Sequence, residues 1–330
     1  MRRLTPRHLQ GAVVDLAHQV ADTGQVVAFR LGFRALSALP AGAAYRLFDT
    51  AALLAYRRGG KGVDRLRANY ARVRPELDTP ALEALVRAGM RSYLRYYCEA
   101  FRLSGTTPAQ LAQRFRITGD GPVREALATG GGAIVHLGHT GNWDLAGAWS
   151  STHLAPVTTI AERLEPEEVF RDFLAFRESL GMTILPLTGG DDPFLGVRKA
   201  IARGDFVALV ADRDLTHNGA EVDLLGHRAR MAKGPALLAV ITGAPLFAAT
   251  IHYEPAPQLP GGHRVVCEIS ERIPVPDSGP TAAKVAAMVQ QCADILGAGI
   301  RAHTEDWHML QKVFAEDLDD RLFASPGRAR

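Results

Sequence analysis

Apolar positions along this chain change their period near residue 115. Over residues 8–58 and 62–115 they recur every three or four positions with arginines between them, which predicts an α-rich block. Loops are expected near Ala38 to Ala41, Arg58 to Gly62 and Ser104 to Pro108, where glycine and proline gather. Beyond that block, short apolar runs at 131–137, 155–161, 182–187, 206–211, 246–253 and 263–270 predict strands. Amphipathic stretches at 142–152, 166–180, 191–203 and 233–243 predict intervening helices, and a long final helix is expected at about 280–302. The alternation predicts an α/β fold, a central sheet covered by helices and preceded by the α-rich amphipathic block. The sheet should be mixed, because its last two strands are close enough to form a hairpin. The expected division is residues 1–115 as a helical, membrane-facing block and 116–330 as the α/β core, integrated into one domain.

Composition narrows the class. A chain of 330 residues with 47% hydrophobic content has enough apolar surface for a large core. Cys98, Cys267 and Cys292 are odd in number and lack metal-ligand spacing, which points to packing residues in a reducing cytoplasm. The start, MRRLTPRHLQ, lacks the apolar centre of a signal peptide. Arg30, Arg34 and Arg46 interrupt the apolar stretch at 25–56, well short of the roughly 20 residues a spanning helix needs.

Net charge is only +3, but residues 1–102 carry 17 Lys plus Arg against 8 Asp plus Glu. Arginines set among Val, Leu, Phe and Tyr at helical spacing suit an amphipathic surface resting on anionic lipid headgroups. The same pattern also suits a helical layer with its apolar stripe turned into the core. Nucleic acid is not an expected partner, because the basic region is apolar and carries no recognisable reading motif.

The segment with the most chemistry is Gly132 to Trp149, GAIVHLGHTGNWDLAGAW. His139 follows an apolar strand, five residues before Asp144, and Gly138 and Gly141 keep the turn open. Ligands and catalytic groups in open α/β sheets collect at the carboxyl ends of strands. An imidazole there suits a general base, and a nearby carboxylate, for which Asp144 is the candidate, holds its tautomer. With no Ser or Cys nucleophile in the turn, the base would act on a substrate hydroxyl, with Asn142 and the glycine amides available to a developing oxyanion. A turn histidine that merely caps a helix is the plainer alternative.

HTGNWD resembles the His-x4-Asp motif of the glycerolipid and lysophospholipid acyltransferases, in the branch that includes the lipid A late acyltransferases. With SYLRYYCEAFRL from Ser92, AERLEPE from Ala161, FRESLGMTILPL from Phe176, ADRDLTHNGAEVDLLG from Ala211 and DWHMLQ from Asp306, the chain is similar to the actinobacterial phosphatidylinositol mannoside acyltransferases from about residue 25 to 315. The resemblance implies acyl-CoA as co-substrate with no cofactor, and the mannose 6-hydroxyl of a phosphatidylinositol mannoside as acceptor. It also implies a peripheral enzyme on the cytoplasmic face of the membrane.

Further site candidates follow. Asp212 and Arg213 emerge after the strand Phe206–Ala211, and a carboxylate there would assist His139. The family often has a glutamate at this place, so Asp212 is one methylene shorter, and a local charge cluster with Asp214 is the alternative. The resemblance places Arg177 at the acyl donor and Glu162 near the histidine, though either also suits a helix-end ion pair. Arg230, Lys233 and Gly234 look like a loop entering a helix, suited to a phosphate. His136, Trp143, Trp149 and Trp307 fit core positions. The histidines show no paired metal spacing, so no metal site is expected. Two other classes stay open: a metal-dependent hydrolase ligated by His139, Asp144, Asp212 and Asp214, and a non-catalytic lipid- or sugar-binding protein. Within the acyltransferases, a lysophospholipid or lipid A-type saccharide is the alternative acceptor.

Overall fold

The computed structural model describes residues 39–103, 105–163, 167–214 and 218–318. The first expected helix therefore lies largely outside the described residues, with Arg30 and Arg34. Within them the chain opens with α1 (Ala41–Arg58), α2 (Lys61–Val73) and α3 (Thr79–Leu103). After α4 (Pro108–Arg114) come β1 (Phe115–Thr118) and α5 (Gly121–Ala128), then β2 (Ala133–Leu137) and α6 (Trp143–His153). Next are β3 (Val157–Ala161), α7 (Glu167–Ser179), β4 (Met182–Pro186), α8 (Pro193–Ala202) and β5 (Phe206–Val210). The chain closes with β6 (Ala220–Leu224), β7 (His227–Met231), α9 (Gly234–Thr242), β8 (Leu246–Pro255), β9 (His263–Ile269) and α10 (Thr281–Ala302).

Seven strands form one sheet in the order β1-β9-β8-β2-β5-β3-β4. Pairing is parallel everywhere except β8 against β9, so the sheet is mixed, as the hairpin pattern predicts. Central strand β2 shows why its sequence is uniformly apolar. Ile134 enters the core on one face, and Ala133, Val135 and Leu137 enter the core on the other. A strand covered by helices on both sides has no face left for polar residues.

Two elements depart from the sequence pattern. The run to residue 115 does not end as helix: a capping box between Thr107 and Gln110 starts the short α4, and Phe115 opens edge strand β1 beside β9. Residues 220–231 form the antiparallel hairpin β6–β7, whose second strand, HRARM, carries little strand signal because it has only Ala229 and Met231 as apolar positions and buries the charged Arg230 between them. Arg230 thus sits on a strand rather than in a loop, while Lys233 and Gly234 do open α9.

Cys98, Cys267 and Cys292 are free thiols in the interior. No helix among the described residues is long and apolar enough to cross a membrane. On α1, Leu47 and Leu54 stand exposed, seven positions apart and hence on one face.

Candidate active site

His139 stands at the carboxyl end of β2, and Asp212 at the carboxyl end of the adjacent parallel strand β5. In-register pairing, Leu137 opposite Val210, brings the two residues together. The imidazole Nδ1 lies 2.6 Å from Asp212 Oδ1, and the His139 amide donates to Oδ2 at 3.0 Å. The Trp307 indole Nε1 donates to that same Oδ2 at 3.2 Å. Burial alone would raise the Asp212 carboxyl, but the His139 ring and amide and the Trp307 indole hold it below the usual carboxylate range. An ionised Asp212 fixes the Nδ1–H tautomer, and no hydrogen bond among the described residues occupies Nε2. The His139 side chain keeps 33% of its surface open while Asp212 keeps none.

The turn is held by the far end of the chain. Gly141 donates to the Asp306 carbonyl at 2.9 Å, and the His308 amide donates to the His139 carbonyl at 2.8 Å. In turn, α2 anchors that C-terminal segment. Tyr70 Oη donates to the Trp307 carbonyl, and Asn69 Nδ2 to the carbonyls of Met309 and Gln311. Gly141 has φ 54°, and a Cβ there would meet the Ile251 backbone at 2.8 Å, so only glycine fits. At Gly138 a Cβ would lie 3.1 Å from Asp212 Oδ2, crowding the carboxylate beside His139.

Asp144 is not the carboxylate on the imidazole, which corrects the expectation drawn from the His-x4-Asp spacing. Residue 144 lies inside α6, and its side chain faces α3 and α7. Tyr96 Oη donates to Oδ2 at 2.7 Å, and Arg177 Nε donates to Oδ1 at 2.7 Å. Arg177, expected at the acyl donor, is thus in a helix-bridging ion pair. Burial works against its charge, and Asp144 more than offsets that, so its pKa rises above the ordinary value. Removing one partner of a buried pair strands the other. Arg177→Ala is therefore expected to cost about 3 kcal/mol in urea unfolding; a loss under about 1 kcal/mol would contradict this account of the pair.

Asn142 also has other work. Its Oδ1 caps α6 by accepting from Leu145 N at 2.9 Å, and its Nδ2 donates to Glu99 Oε2 at 2.8 Å. Neither that amide nor the Gly141 N–H is free for an oxyanion. Among the described residues, the first-turn amides of Trp143 and Asp144 have no partner. Glu162, after β3, is exposed, and Arg213 is partly exposed; neither forms a hydrogen bond or ion pair among the described residues. Arg230 Nη2 donates to the Gly219 carbonyl at 2.8 Å, and its own carbonyl accepts from the Asp214 amide, bracing the hairpin against the segment after Asp212.

Several residues around the site carry no local signal of their role. Glu99, buried in α3, accepts from Asn142 and from Tyr253 Oη, and pairs with Arg114 at 3.1 Å. Ser92 Oγ donates to Asp306 Oδ1 at 2.6 Å and lies 3.0 Å from His308 Nε2. His136 is fully buried with both ring nitrogens unpartnered, and burial pushes it down to about 4, partly opposed by Asp212. It is a core residue. Among the described residues, no three His, Cys, Asp or Glu side chains are grouped to hold a metal.

Asp306 gives a pH dependence. Burial raises its carboxyl to about 6, against hydrogen bonds from Ser92 and the Tyr253 amide. The folded state then holds this proton more tightly than the unfolded state, so the group's stabilisation is present at low pH and fades as pH rises through about 6. The stability of the wild type relative to Asp306→Asn should fall as urea titrations move from pH 4 to pH 7. A difference constant across that range would show that Asp306 does not titrate as argued.

The profile of the bacterial lipid A biosynthesis acyltransferases matches residues 20–316. The chain belongs to that family. It is therefore an enzyme of an acyltransferase family. It is 38% identical over 317 residues to a phosphatidylinositol mannoside acyltransferase of Mycolicibacterium smegmatis, covering 95% of this chain and 98% of that protein. A phosphatidylinositol mannoside acyltransferase of Mycobacterium tuberculosis is also 38% identical, over 309 residues and 93% of each chain.

Proposed function

We propose that this acyltransferase moves a long, palmitoyl-like acyl group from acyl-CoA to the mannose 6-hydroxyl of a phosphatidylinositol mannoside at the cytoplasmic face of the membrane. The observation that carries the chemistry is the 2.6 Å contact between His139 Nδ1 and buried Asp212, which leaves Nε2 to accept a proton. The observation that carries the acceptor is near-full-length similarity to two enzymes named for it.

The acceptor hydroxyl gives its proton to Nε2 as its oxygen attacks the thioester carbonyl carbon. Asp212 stabilises the imidazolium that forms. The unpartnered first-turn amides of α6 are donors for the tetrahedral oxyanion, favoured by the helix's positive end. Collapse breaks the carbon–sulfur bond and expels the thiolate, which takes the proton back from His139. The arrangement needs no acyl-enzyme. Asp144 and Arg177 act one layer out, fixing α6 and α7 around the turn. The exposed Leu47 and Leu54 of α1 suit peripheral contact with lipid.

An acceptor panel tests the substrate. With one acyl-CoA donor, the purified protein is offered phosphatidylinositol mannosides, a lysophospholipid and a lipid A-type saccharide. The mannosides should be acylated with a kcat/KM at least about tenfold above the others, a difference of about 1.4 kcal/mol in transition-state binding. Preference for the lysophospholipid or the saccharide would overturn the acceptor while leaving the base in place.

A further inference from the structure

Two cavities of about 330 and 360 Å³ lie side by side between α1, α3 and the far end of β8, sharing Arg91, Arg95 and His263 in their walls. Four guanidiniums reach them. Arg46 lines the first, Arg87 the second, and Arg91 and Arg95 line both. Three carboxylates face them, and two of those are occupied. Asp49 is bound by Arg91 at 2.6 Å, and Asp306 accepts from Ser92 and the Tyr253 amide. Glu305 and Asp306, which feels the Arg95 charge, are left to oppose three arginines, since Arg46, Arg87 and Arg95 have no side-chain hydrogen bond or ion pair among the described residues.

Arg95 is the best placed of the three. Its guanidinium lies 4.9 Å from the Tyr253 ring centre, and that tyrosine is fixed by its hydroxyl on Glu99 and its amide on Asp306. A guanidinium placed over an aromatic ring, with its N–H groups unpaired among the described residues, is available to the oxygens of a phosphate.

The cavities are separate from the base but mechanically joined to it. Asp306 lines the second cavity with its side chain, and its carbonyl accepts from Gly141 in the His139 turn. An acceptor whose reacting hydroxyl is a sugar or two away from its phosphate needs such a separation. The first cavity is also walled by α1, the helix that exposes Leu47 and Leu54, which favours a phosphate attached to a lipid over a soluble one.

We propose that these joined cavities bind the phosphodiester of an anionic glycophospholipid acceptor, with Arg95 as the principal contact and Arg46 and Arg87 flanking it. The inference rests on the acceptor class argued above. The site sets the affinity for the acceptor and takes no part in the acyl step.

Calorimetric titration of the purified full chain tests this without reading catalysis. The titrants are glycerophosphoinositol, inorganic phosphate and coenzyme A, against the wild type, Arg95→Ala and Arg95→Lys, each verified as folded by thermal melting. Glycerophosphoinositol should bind the wild type more tightly than inorganic phosphate does, weaken at least tenfold in Arg95→Ala and recover partly in Arg95→Lys. Coenzyme A binding should be unchanged by either substitution. Absence of glycerophosphoinositol binding to the wild type, or equal binding by Arg95→Ala, overturns the site. If coenzyme A is the titrant that weakens, the cavities hold the donor's phosphates and the acceptor assignment is overturned. A protein that transfers acyl groups to mannosides yet fails these titrations loses only this site; one that binds here but does not transfer to them loses the proposed function.

Discussion

His139→Ala should lower kcat for acyl transfer by about 10⁴-fold, at the upper end of what a positioned general base supplies. The expectation is this large because, among the described residues, neither carboxylate near the turn is free to act as a second base. Asp212 is fully buried and hydrogen-bonded to the turn, and Asp144 is occupied by Tyr96 and Arg177. The fold should survive, because the His139 ring is one-third exposed and its loss empties no core position. Initial rates of acyl-mannoside formation, with melting curves beside them, check both halves. A variant that folds and keeps a tenth of the wild-type rate would show that the proton goes elsewhere.

Asp212→Asn should lower kcat by about 10³-fold while barely changing the KM for either substrate. The reason is the direction of a proton. Asp212 Oδ2 accepts from the His139 amide and the Trp307 indole, and Oδ1 faces Nδ1. An asparagine keeps its carbonyl oxygen toward those two fixed donors, so its NH₂ points at Nδ1. Nδ1 must then accept, the ring proton moves to Nε2, and the lone pair needed for the hydroxyl is lost. A loss that appeared mainly in KM would place Asp212 in binding rather than in setting the imidazole.

The sequence made the strand-end chemistry legible, including Asp212 beside His139, and misassigned Asp144 and Arg177. Both His139 and Asp212 follow short apolar runs, and parallel pairing of those runs is what brings the residues together. The spacing of His139 to Asp144 suggested a local pair. Yet Asp144 lies inside α6, whose Trp143–His153 span begins after the turn, and its carboxylate faces neighbouring helices. The one-methylene difference at Asp212 proved compatible with contact, because Gly138 leaves no side chain between that carboxylate and the turn.

What stayed hidden was long-range. Trp307 resembles a core residue in the sequence and is indeed fully buried, but its indole N–H is spent on Asp212 across 95 positions of chain. Glu99 and Asp306 belong to buried networks whose members come from α3, the His139 turn, β8 and the C-terminal segment. No local period encodes such a closure. The hairpin β6–β7 was missed for a different reason, since HRARM is short and has only Ala229 and Met231 as apolar positions, with a buried arginine, Arg230, between them.

The most direct test of acyl transfer by a histidine base is to follow the label from palmitoyl-CoA, carried on the acyl group, with purified wild-type protein, phosphatidylinositol mannoside and a strong chelator. The expected result is labelled acyl-mannoside formed in step with released CoA thiol, undiminished by the chelator. Label recovered only as free fatty acid, or transfer that returned only on adding metal, would contradict direct transfer to a sugar hydroxyl by His139 and Asp212.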